Sequence, residues 1–171
     1  MTALLDICVS DLSALTRFGI KGPKSADWLA SQGIEVPKSA NTWLKTKAGI
    51  LVLRLGTNEF LLEDSAGSTT CYALDQLSQL GIDGAYYVAR VDASFGLSGS
   101  ASLDLLSELC TLDLRPIALA KDVVLMTQLA GISVTLLQQL EDDNVVYRFW
   151  CDGTYGEFMR DVLQEVAEEL G

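Results

Sequence analysis

The chain contains an internal repeat, which restricts its fold more than any other feature of the sequence. Three segments recur in the same order. They are 18–29 with 95–106 at an offset of 77, 44–55 with 126–137 at an offset of 82 and, more weakly, 59–64 with 146–151. Three matches in one order indicate two copies of one supersecondary unit, because each copy would repeat the same elements.

The first copy is predicted to run strand, helix, strand, strand, helix, strand. Pro23 and Ser25 can open a helix that ends at Gly33, and Gly56-Thr57-Asn58 separates two apolar runs as in a hairpin. The predicted bounds are 14–21, 24–32, 49–55, 59–64, 68–80 and 84–92. This β-α-β-β-α-β order is typical of the ferredoxin-like, or split βαβ, unit.

The second copy is predicted to be one strand short, with bounds of 93–98, 100–110, 123–138, 145–151 and 154–170. Segment 3–9 (ALLDICV) has strand character and belongs to neither copy, so we expect it to complete the second sheet. We therefore predict an α+β fold with two ferredoxin-like halves related by a pseudo-twofold. The halves would be 12–92 and 93–171 plus the strand 3–9, within one domain over 1–171.

Both copies carry an FG[IL]xG turn between the first strand and the first helix. The Phe anchors the strand end, and the glycines permit positive φ or a close backbone approach. Such a turn can also bind phosphate at the helix N-terminus, but GxGxxG and a Walker lysine are absent, so we favour a structural role. The predicted structural turn residues are Phe18, Gly19, Gly22, Phe95, Gly96 and Gly99.

The chain contains no histidine. It therefore cannot build a Ser-His-Asp or Cys-His nucleophile pair, an HExxH zinc site or a histidine-ligated haem. Four cysteines stand far apart without a CxxC pair, and we interpret them as reduced, buried thiols. We predict no catalytic residues and no metal ligands in this chain.

The charge is acidic and unevenly distributed. The formal net charge is −11, and residues 91–171 hold 14 acidic but only 4 basic residues. This balance argues against nucleic acid as a partner, and the absence of a long apolar run argues against a membrane. The acidic second half can be a solvated surface or can steer the chain to a basic partner. The N-terminus lacks the basic region of a signal peptide, so we expect a cytoplasmic protein.

A few residues could form a binding site. Arg54 and Arg90 are predicted in strands, and a cleft that contained both could clamp a carboxylate; surface arginines are the alternative. Trp43 lies near Lys45 and Lys47 in a polar stretch, which makes these three residues candidates for an interface. Trp43 could instead cap the edge of its own core.

The densest acidic cluster, Glu141-Asp142-Asp143, lies between two predicted strands. It could bind a divalent cation weakly, but the spacing of an EF-hand is absent. A solvated hairpin tip is the favoured interpretation, because Asp and Asn are common in turns.

Five segments together carry a family resemblance. They are TRFGIKGPKSADWLASQGIEVP, NTW, AGILVLRLGTNEFLLED, FGLSGSASLDLLSELCTLDL and MTQLAGISVTLL. The pattern resembles the gamma subunit of heterotetrameric sarcosine oxidase. It is more distantly similar to the folate-binding aminomethyltransferase (glycine cleavage T protein) superfamily. The resemblance covers roughly residues 12–165 and implies two ferredoxin-like halves.

The resemblance implies a non-catalytic subunit of a complex that demethylates sarcosine and passes the one-carbon unit to tetrahydrofolate. The other subunits would be its partners and would carry FAD, FMN, NAD and tetrahydrofolate, so we expect no cofactor on this chain. One alternative is a freestanding folate-binding or aminomethyltransferase-like protein. A second alternative is a stand-alone interaction module.

Overall fold

The computed structural model describes residues 6–115 and 122–171. It divides into two compact units, one of which is Leu15–Val91; the other consists of the described residues on either side of that range. Each unit holds one five-stranded antiparallel sheet. Within the described ranges each sheet is accompanied by two α-helices. The fold class is therefore α+β, as predicted.

The first unit, Leu15–Val91, has its sheet in the order β3-β4-β5-β2-β6. Its elements are β2 (Arg17–Lys21), α1 (Ser25–Ser31), β3 (Thr42–Lys45), β4 (Leu51–Gly56), β5 (Glu59–Glu63), α2 (Thr70–Ser78) and β6 (Tyr86–Val88). Alternate strand residues such as Phe18, Ile20 and Leu62 form the core with Leu29 of α1 and Leu74 of α2. This arrangement follows from the period of two in a strand and the apolar stripe of a helix.

The second unit has its sheet in the order β1-β7-β10-β9-β8. Its elements are β1 (Cys8–Asp11), β7 (Ala93–Ser98), α3 (Ser102–Leu109), β8 (Val124–Leu129), β9 (Ile132–Glu141), β10 (Asn144–Cys151) and α4 (Gly156–Leu170), which a 3-10 turn at Gly153–Tyr155 precedes. Phe95, Phe149 and Leu106 lie in its core with Met159 and Leu163 of α4. The last two are four residues apart, so one face of α4 meets the sheet.

The two strand orders correspond position by position. Read from the edge formed by β3, the first sheet runs β3, β4, β5, β2, β6, and the second runs β8, β9, β10, β7, β1. Phe18 and Phe95, which the repeat aligns, are both fully buried, as are Leu29 and Leu106. The repeated sequence therefore marks residues with the same position in each sheet or helix.

The described residues form two more strands than the sequence predicts. The single strand predicted over 123–138 is wrong, because β8 and β9 form a hairpin that turns at Ala130 and Gly131, with φ of 49° and 80°. In the first unit, β3 pairs with β4 and was not predicted as a strand. β3 precedes β4 in the first unit, and β8 precedes β9 in the second. The two additional strands therefore occupy equivalent positions in the two copies.

The N-terminal segment joins the second sheet, as the sequence suggested. β1 pairs antiparallel with β7 from Cys8, opposite Ser98, to Asp11, opposite Phe95. The predicted strand covered 3–9, of which 3–5 lie outside the described residues. The strand therefore lies further along the chain than predicted.

Candidate functional site

The two FG[IL]xG turns meet the same kind of neighbour in each unit. Gly22 has φ of 128°, and a Cβ there would lie 2.7 Å from Ala85 Cα, just before β6. Gly99 has φ of 104°, and a Cβ there would lie 2.1 Å from the carbonyl oxygen of Asp6, just before β1. In both turns glycine is needed because the backbone that leads into an edge strand passes directly against it.

The other predicted turn glycines lie within strands. A Cβ at Gly19 would lie 2.5 Å from the carbonyl oxygen of Val88, and one at Gly96 would lie 3.2 Å from Leu12. The hydroxyl groups of Ser25 and Ser102, also 77 positions apart, both donate to backbone carbonyl oxygens near the turn. These contacts indicate that the repeated motif serves to pack the strand, the turn and the helix against one another.

The predicted interface residues lie on and beside β3. Trp43 and Lys45 point to the same side of the sheet, because strand side chains alternate, and Lys47 follows in the turn to β4. Lys45 and Lys47 are exposed, whereas Trp43 is half-buried. The indole N–H of Trp43 is buried and has no hydrogen-bond partner among the described residues. We call Lys38, Trp43, Lys45 and Lys47 the β3 surface.

The guanidinium of Arg54 donates hydrogen bonds to backbone carbonyl oxygens. Its Nη1 donates to the carbonyl oxygens of Pro37 at 3.0 Å and Lys38 at 2.9 Å. Its Nε and Nη2 donate to the carbonyl oxygen of Thr57 at 3.2 and 2.6 Å, and the guanidinium lies 5.3 Å from the Phe60 ring centroid. Arg54 therefore fixes the segment before β3 against the β4–β5 hairpin.

Arg90 lies elsewhere in the same unit. Its Nη2 is 3.5 Å from Glu59 Oε1, and Lys21 Nζ is 3.1 Å from Glu59 Oε2. Two strands, β5 and β2, separate β4 from β6. Arg54 stacks on the core side chain Phe60, whereas the neighbouring Glu59 points to the opposite face of β5. The structure thus does not bring Arg54 and Arg90 into a common carboxylate clamp.

The first unit contains a buried ion pair that the sequence pattern does not predict. Arg17 Nε lies 2.7 Å from Glu63 Oε2, and these side chains are only 4% and 1% exposed. The adjacent carboxylate of Asp64 is also buried and accepts hydrogen bonds from the Cys71 backbone N–H at 3.0 Å and the Ser68 hydroxyl at 2.8 Å. In the sequence, Glu63 and Asp64 stand together at the end of the apolar run 60–62, and this pair of acids could have indicated buried ionic contacts.

The buried thiols are poorly suited to nucleophilic chemistry. Burial raises the pKa of Cys71, and the neighbouring Asp64 raises it further. Burial, with the nearby charges of Asp92 and Asp152, raises the pKa of Cys151 to about 11. A thiol must ionise to act as a nucleophile, so these two cysteines are suited to the core. Cys110 is also buried, but Cys8 is exposed, so the prediction that all four thiols are buried is wrong for Cys8, which lies on the edge strand β1.

Described residues of the second unit line at least two cavities. One, of about 540 Å³, lies beside the start of α3 and includes Asp6, Ser100, Asp143 and Tyr147 in its lining. The other, of about 420 Å³, lies beside β8 and β9 and includes Asp92, Thr135, Trp150 and Asp152. Neither lining contains a lysine or an arginine, so both cavities present carboxylates that would repel an anionic ligand.

The acidic cluster Glu141-Asp142-Asp143 lies at the hairpin between β9 and β10. Asp142 and Asp143 have φ of 48° and 66°, as in a type I′ turn. This agrees with the hairpin interpretation. Among residues 6–115 and 122–171 no group of three His, Cys, Asp or Glu side chains could hold a metal ion. In the same ranges no helix is both long and apolar enough to cross a bilayer.

The sequence matches no family model and no curated protein, but the fold matches solved structures. One is the heterotetrameric sarcosine oxidase from Corynebacterium sp. U-96, with 23% identity and a TM-score of 0.78 over 96% of this chain and 85% of that chain. Another is the glycine cleavage system aminomethyltransferase T from Bartonella henselae, with 14% identity and a TM-score of 0.65. That match covers 93% of this chain but 45% of the other, so this chain spans less than half of that protein. The chain thus has the fold that a sarcosine oxidase chain and aminomethyltransferase T share, in agreement with the resemblance found in the sequence.

Proposed function

We propose that this chain is a non-catalytic, gamma-type subunit of a heterotetrameric sarcosine oxidase-like complex. Such a complex would demethylate sarcosine oxidatively and transfer the one-carbon unit to tetrahydrofolate. This chain would support the catalytic subunits through its surface and would take no part in bond making or breaking.

The likeness in fold to a chain of heterotetrameric sarcosine oxidase carries the proposal. The fold matches the sarcosine oxidase chain over 96% of this chain and 85% of the other, which is nearly end to end. The match to aminomethyltransferase T leaves more than half of that protein without a counterpart.

The chemistry of the described residues supports a passive role. Histidine is absent from the chain, and burial raises the pKa of Cys71 and Cys151. Arg54 donates to backbone carbonyl oxygens, and Arg90 pairs with Glu59. The linings of the two cavities described in the second unit each contain two aspartates and neither a lysine nor an arginine, which disfavours the anionic tail of a folate. In this proposal the other subunits carry FAD, FMN, NAD and tetrahydrofolate.

The proposal includes two tandem ferredoxin-like copies. The matching strand orders support it, and so does the equal burial of aligned residues such as Phe18 and Phe95. Each sheet has one strand beyond the four of the simple unit, namely β3 in the first and β8 in the second. The pseudo-twofold between the copies and the cytoplasmic location stay predictions, as does the absence of nucleic-acid and membrane partners.

Co-purification tests the proposal. The full chain, tagged in its native organism, should co-elute with larger subunits whose absorbance spectrum shows flavin, and the eluate should consume oxygen when sarcosine is added. The chain purified alone should not turn over sarcosine. A chain that elutes without flavin-containing partners, or that oxidises sarcosine by itself, would contradict the proposal.

Folate binding separates the freestanding alternative from the subunit. Tetrahydrofolate should leave the tryptophan fluorescence of the isolated chain unchanged if the folate site belongs to another subunit. Saturable quenching would instead favour a freestanding folate-binding protein. An interaction module unrelated to the oxidase would show neither quenching nor flavin-containing partners.

A further inference from the structure

We propose that the larger of the two cavities described in the second unit, which we call the α3 cavity, binds a small organic amine in its protonated form. Its volume is about 540 Å³, and its lining includes Asp6, Ser100, Leu103, Asp143, Val145 and Tyr147. The ammonium group would lie beside the carboxylates, and the carbon chain would contact the apolar side chains. The inference goes beyond the proposed function and does not depend on it.

The cavity lies between a turn and a hairpin that are bonded directly to each other in the first copy. In the first unit the backbone N–H of Gly22 and the hydroxyl of Ser25 both donate to the carbonyl oxygen of Asn58, at 2.9 and 3.1 Å. These bonds close the FGIKG turn against the β4–β5 hairpin. The β9–β10 hairpin is longer, with strands of ten and eight residues against six and five for β4 and β5. The α3 cavity takes Ser100 from the corresponding turn and Asp143 from this longer hairpin. The fold itself therefore does not require a cavity at this place.

The first copy carries a protonated amine of its own beside the equivalent turn. Lys24 Nζ forms an ion pair with Asp83, and the Lys24 backbone N–H donates to the carbonyl oxygen of Gly84 at 3.0 Å. In the second copy the equivalent hydrogen bond joins the backbone N–H of Ala101 to the carbonyl oxygen of Asp6, at 3.3 Å. The second copy thus has alanine in place of the lysine and a carboxylate in place of Gly84. An ammonium ion from outside the chain can supply the positive charge that the lysine supplies in the first copy.

Tyr147 brings an unsatisfied polar group to the cavity. The residue is only 6% exposed and belongs to the core of the second unit, and it forms part of the cavity lining. Its hydroxyl has no hydrogen-bond partner among residues 6–115 and 122–171. Burial raises the pKa of Tyr147, so the hydroxyl stays neutral at physiological pH. It can accept an N–H of an ammonium group, and the face of the ring attracts a cation.

The charges of the lining select an organic cation. Asp6 and Asp143 are the charged residues of the lining, and both are exposed. The positive end of the α3 dipole is offset by Asp104 in the first turn of the helix. A metal ion fits less well, because no group of three His, Cys, Asp or Glu side chains in the described ranges could hold one. Leu103 and Val145 give the lining an apolar part that suits the carbon chain of an amine.

Titration with simple compounds, followed by NMR of the isotopically labelled full chain, tests the site. The probe is n-butylamine, which is protonated at neutral pH because the pKa of an alkylamine is about 10. The controls are n-butanol, which has the same carbon chain without the charge, and butyrate, which has the opposite charge. Butylammonium should shift the backbone amide resonances of Gly99, Ser100, Leu103 and Asn144 saturably, with an affinity that falls as salt rises. Butanol and butyrate should cause far smaller shifts at the same concentration.

Three variants locate the site. Asp6→Asn/Asp143→Asn should weaken the binding of butylammonium roughly tenfold, because two carboxylates lose their charge. The hydrogen bonds of Asp6 with Ser100 and Ala101 use its backbone, so the substitution leaves them in place. Tyr147→Phe removes only the hydroxyl. It should weaken binding roughly threefold without lowering the melting temperature, since the hydroxyl has no partner among the described residues. Glu165→Gln/Glu168→Gln removes the same charge from exposed positions on α4 and should leave the affinity within about twofold of the unmodified chain.

Several results would overturn the inference. They are binding of butanol or butyrate as strong as that of butylammonium, equal weakening by Asp6→Asn/Asp143→Asn and Glu165→Gln/Glu168→Gln, and shifted amides that lie away from the α3 cavity. An unchanged affinity of Tyr147→Phe would overturn it as well. None of these results bears on the proposed function, which is tested by recovery of flavin-containing subunits. The chain can therefore pass either test and fail the other.

Discussion

Arg17 and Glu63 are direct cross-strand partners and form an ion pair that is almost fully buried, with 2.7 Å between Nε and Oε2. Removing two charges from water is costly, so such a pair is stable only while both partners are present. Loss of one partner removes this ion pair from the other charge, which stays buried.

Replacing Glu63 by Leu should therefore lower the free energy of unfolding by about 3–5 kcal/mol, as measured by urea denaturation. The double variant Arg17→Met/Glu63→Leu should recover much of this loss, because no uncompensated charge is left. A double variant whose loss equals the sum of the two single losses would show that the two residues are not coupled.

Gly99 should be far less tolerant of alanine than Gly131. Both have positive φ, but a Cβ at Gly99 would lie 2.1 Å from the Asp6 carbonyl oxygen, whereas a Cβ at Gly131 meets nothing within 4 Å. Gly131→Ala should cost about 1 kcal/mol for its backbone conformation alone. Gly99→Ala should cost at least about twice as much, and Gly22→Ala should behave like it. Equal melting temperatures for Gly99→Ala and Gly131→Ala would contradict the close approach.

Asp11 should contribute to the acid sensitivity of the protein. Burial raises the pKa of Asp11, but hydrogen bonds from Ser13 and the ion pair with Arg160 outweigh that effect, so the pKa lies below its ordinary value. The stabilisation is present above the unfolded pKa of about 4 and is lost as the pH falls through the lower folded value. It should amount to about 0.5 kcal/mol, because the Asp11 and Arg160 side chains are 33% and 44% exposed.

Asp11→Asn should thus lower stability at neutral pH and flatten the dependence of the unfolding free energy on pH below about 4. Glu168→Gln, which removes an exposed carboxylate from α4, is the matched control. If the unfolding free energy of Asp11→Asn depended on acid pH in the same way as that of the unmodified protein, the ion pair between β1 and α4 would contribute nothing.

The cysteines should differ sharply in reactivity. At pH 8 a thiol whose pKa is about 11, as for Cys151, is roughly one-thousandth thiolate. Cys8 is exposed, whereas Cys71, Cys110 and Cys151 are buried. A coloured disulfide reagent should therefore titrate one thiol rapidly in the folded protein and four in urea. Cys8→Ser should abolish the rapid phase; rapid labelling of that variant would reveal a reactive buried thiol.

The hairpin between β8 and β9 shows where sequence patterns failed. The usual signal of a two-residue hairpin is Asn-Gly or Asp-Gly, but here the turn is Ala130-Gly131 inside an apolar run. The first copy contains an equivalent turn, because the aligned Ala48-Gly49 lies between β3 and β4. The repeat therefore links the two turns. The four residues of β3 are too few to show an alternation of apolar and polar side chains, so the sequence does not predict this strand without its partner β4.

Strand order and register decide which of the candidate residues lie near one another, and local sequence does not determine either. Arg54 and Arg90 are both predictable as residues in or next to strands, but β5 and β2 separate their strands. Arg17 and Glu63 are 46 positions apart and became partners only through the pairing of β2 with β5. Trp43 and Lys45 could be recognised as interface candidates from their composition, whereas their place on an edge strand could not.

The sequence by itself determined the repeat, the α+β class, the joining of the N-terminal segment to the second sheet and the lack of histidine chemistry. These follow from spacing, composition and short-range backbone preferences, which are written locally along the chain. Only the tertiary structure decided which strand stands at an edge and which charges are buried together. Those properties depend on strand order and register, and hydrophobic burial across distant segments selects both.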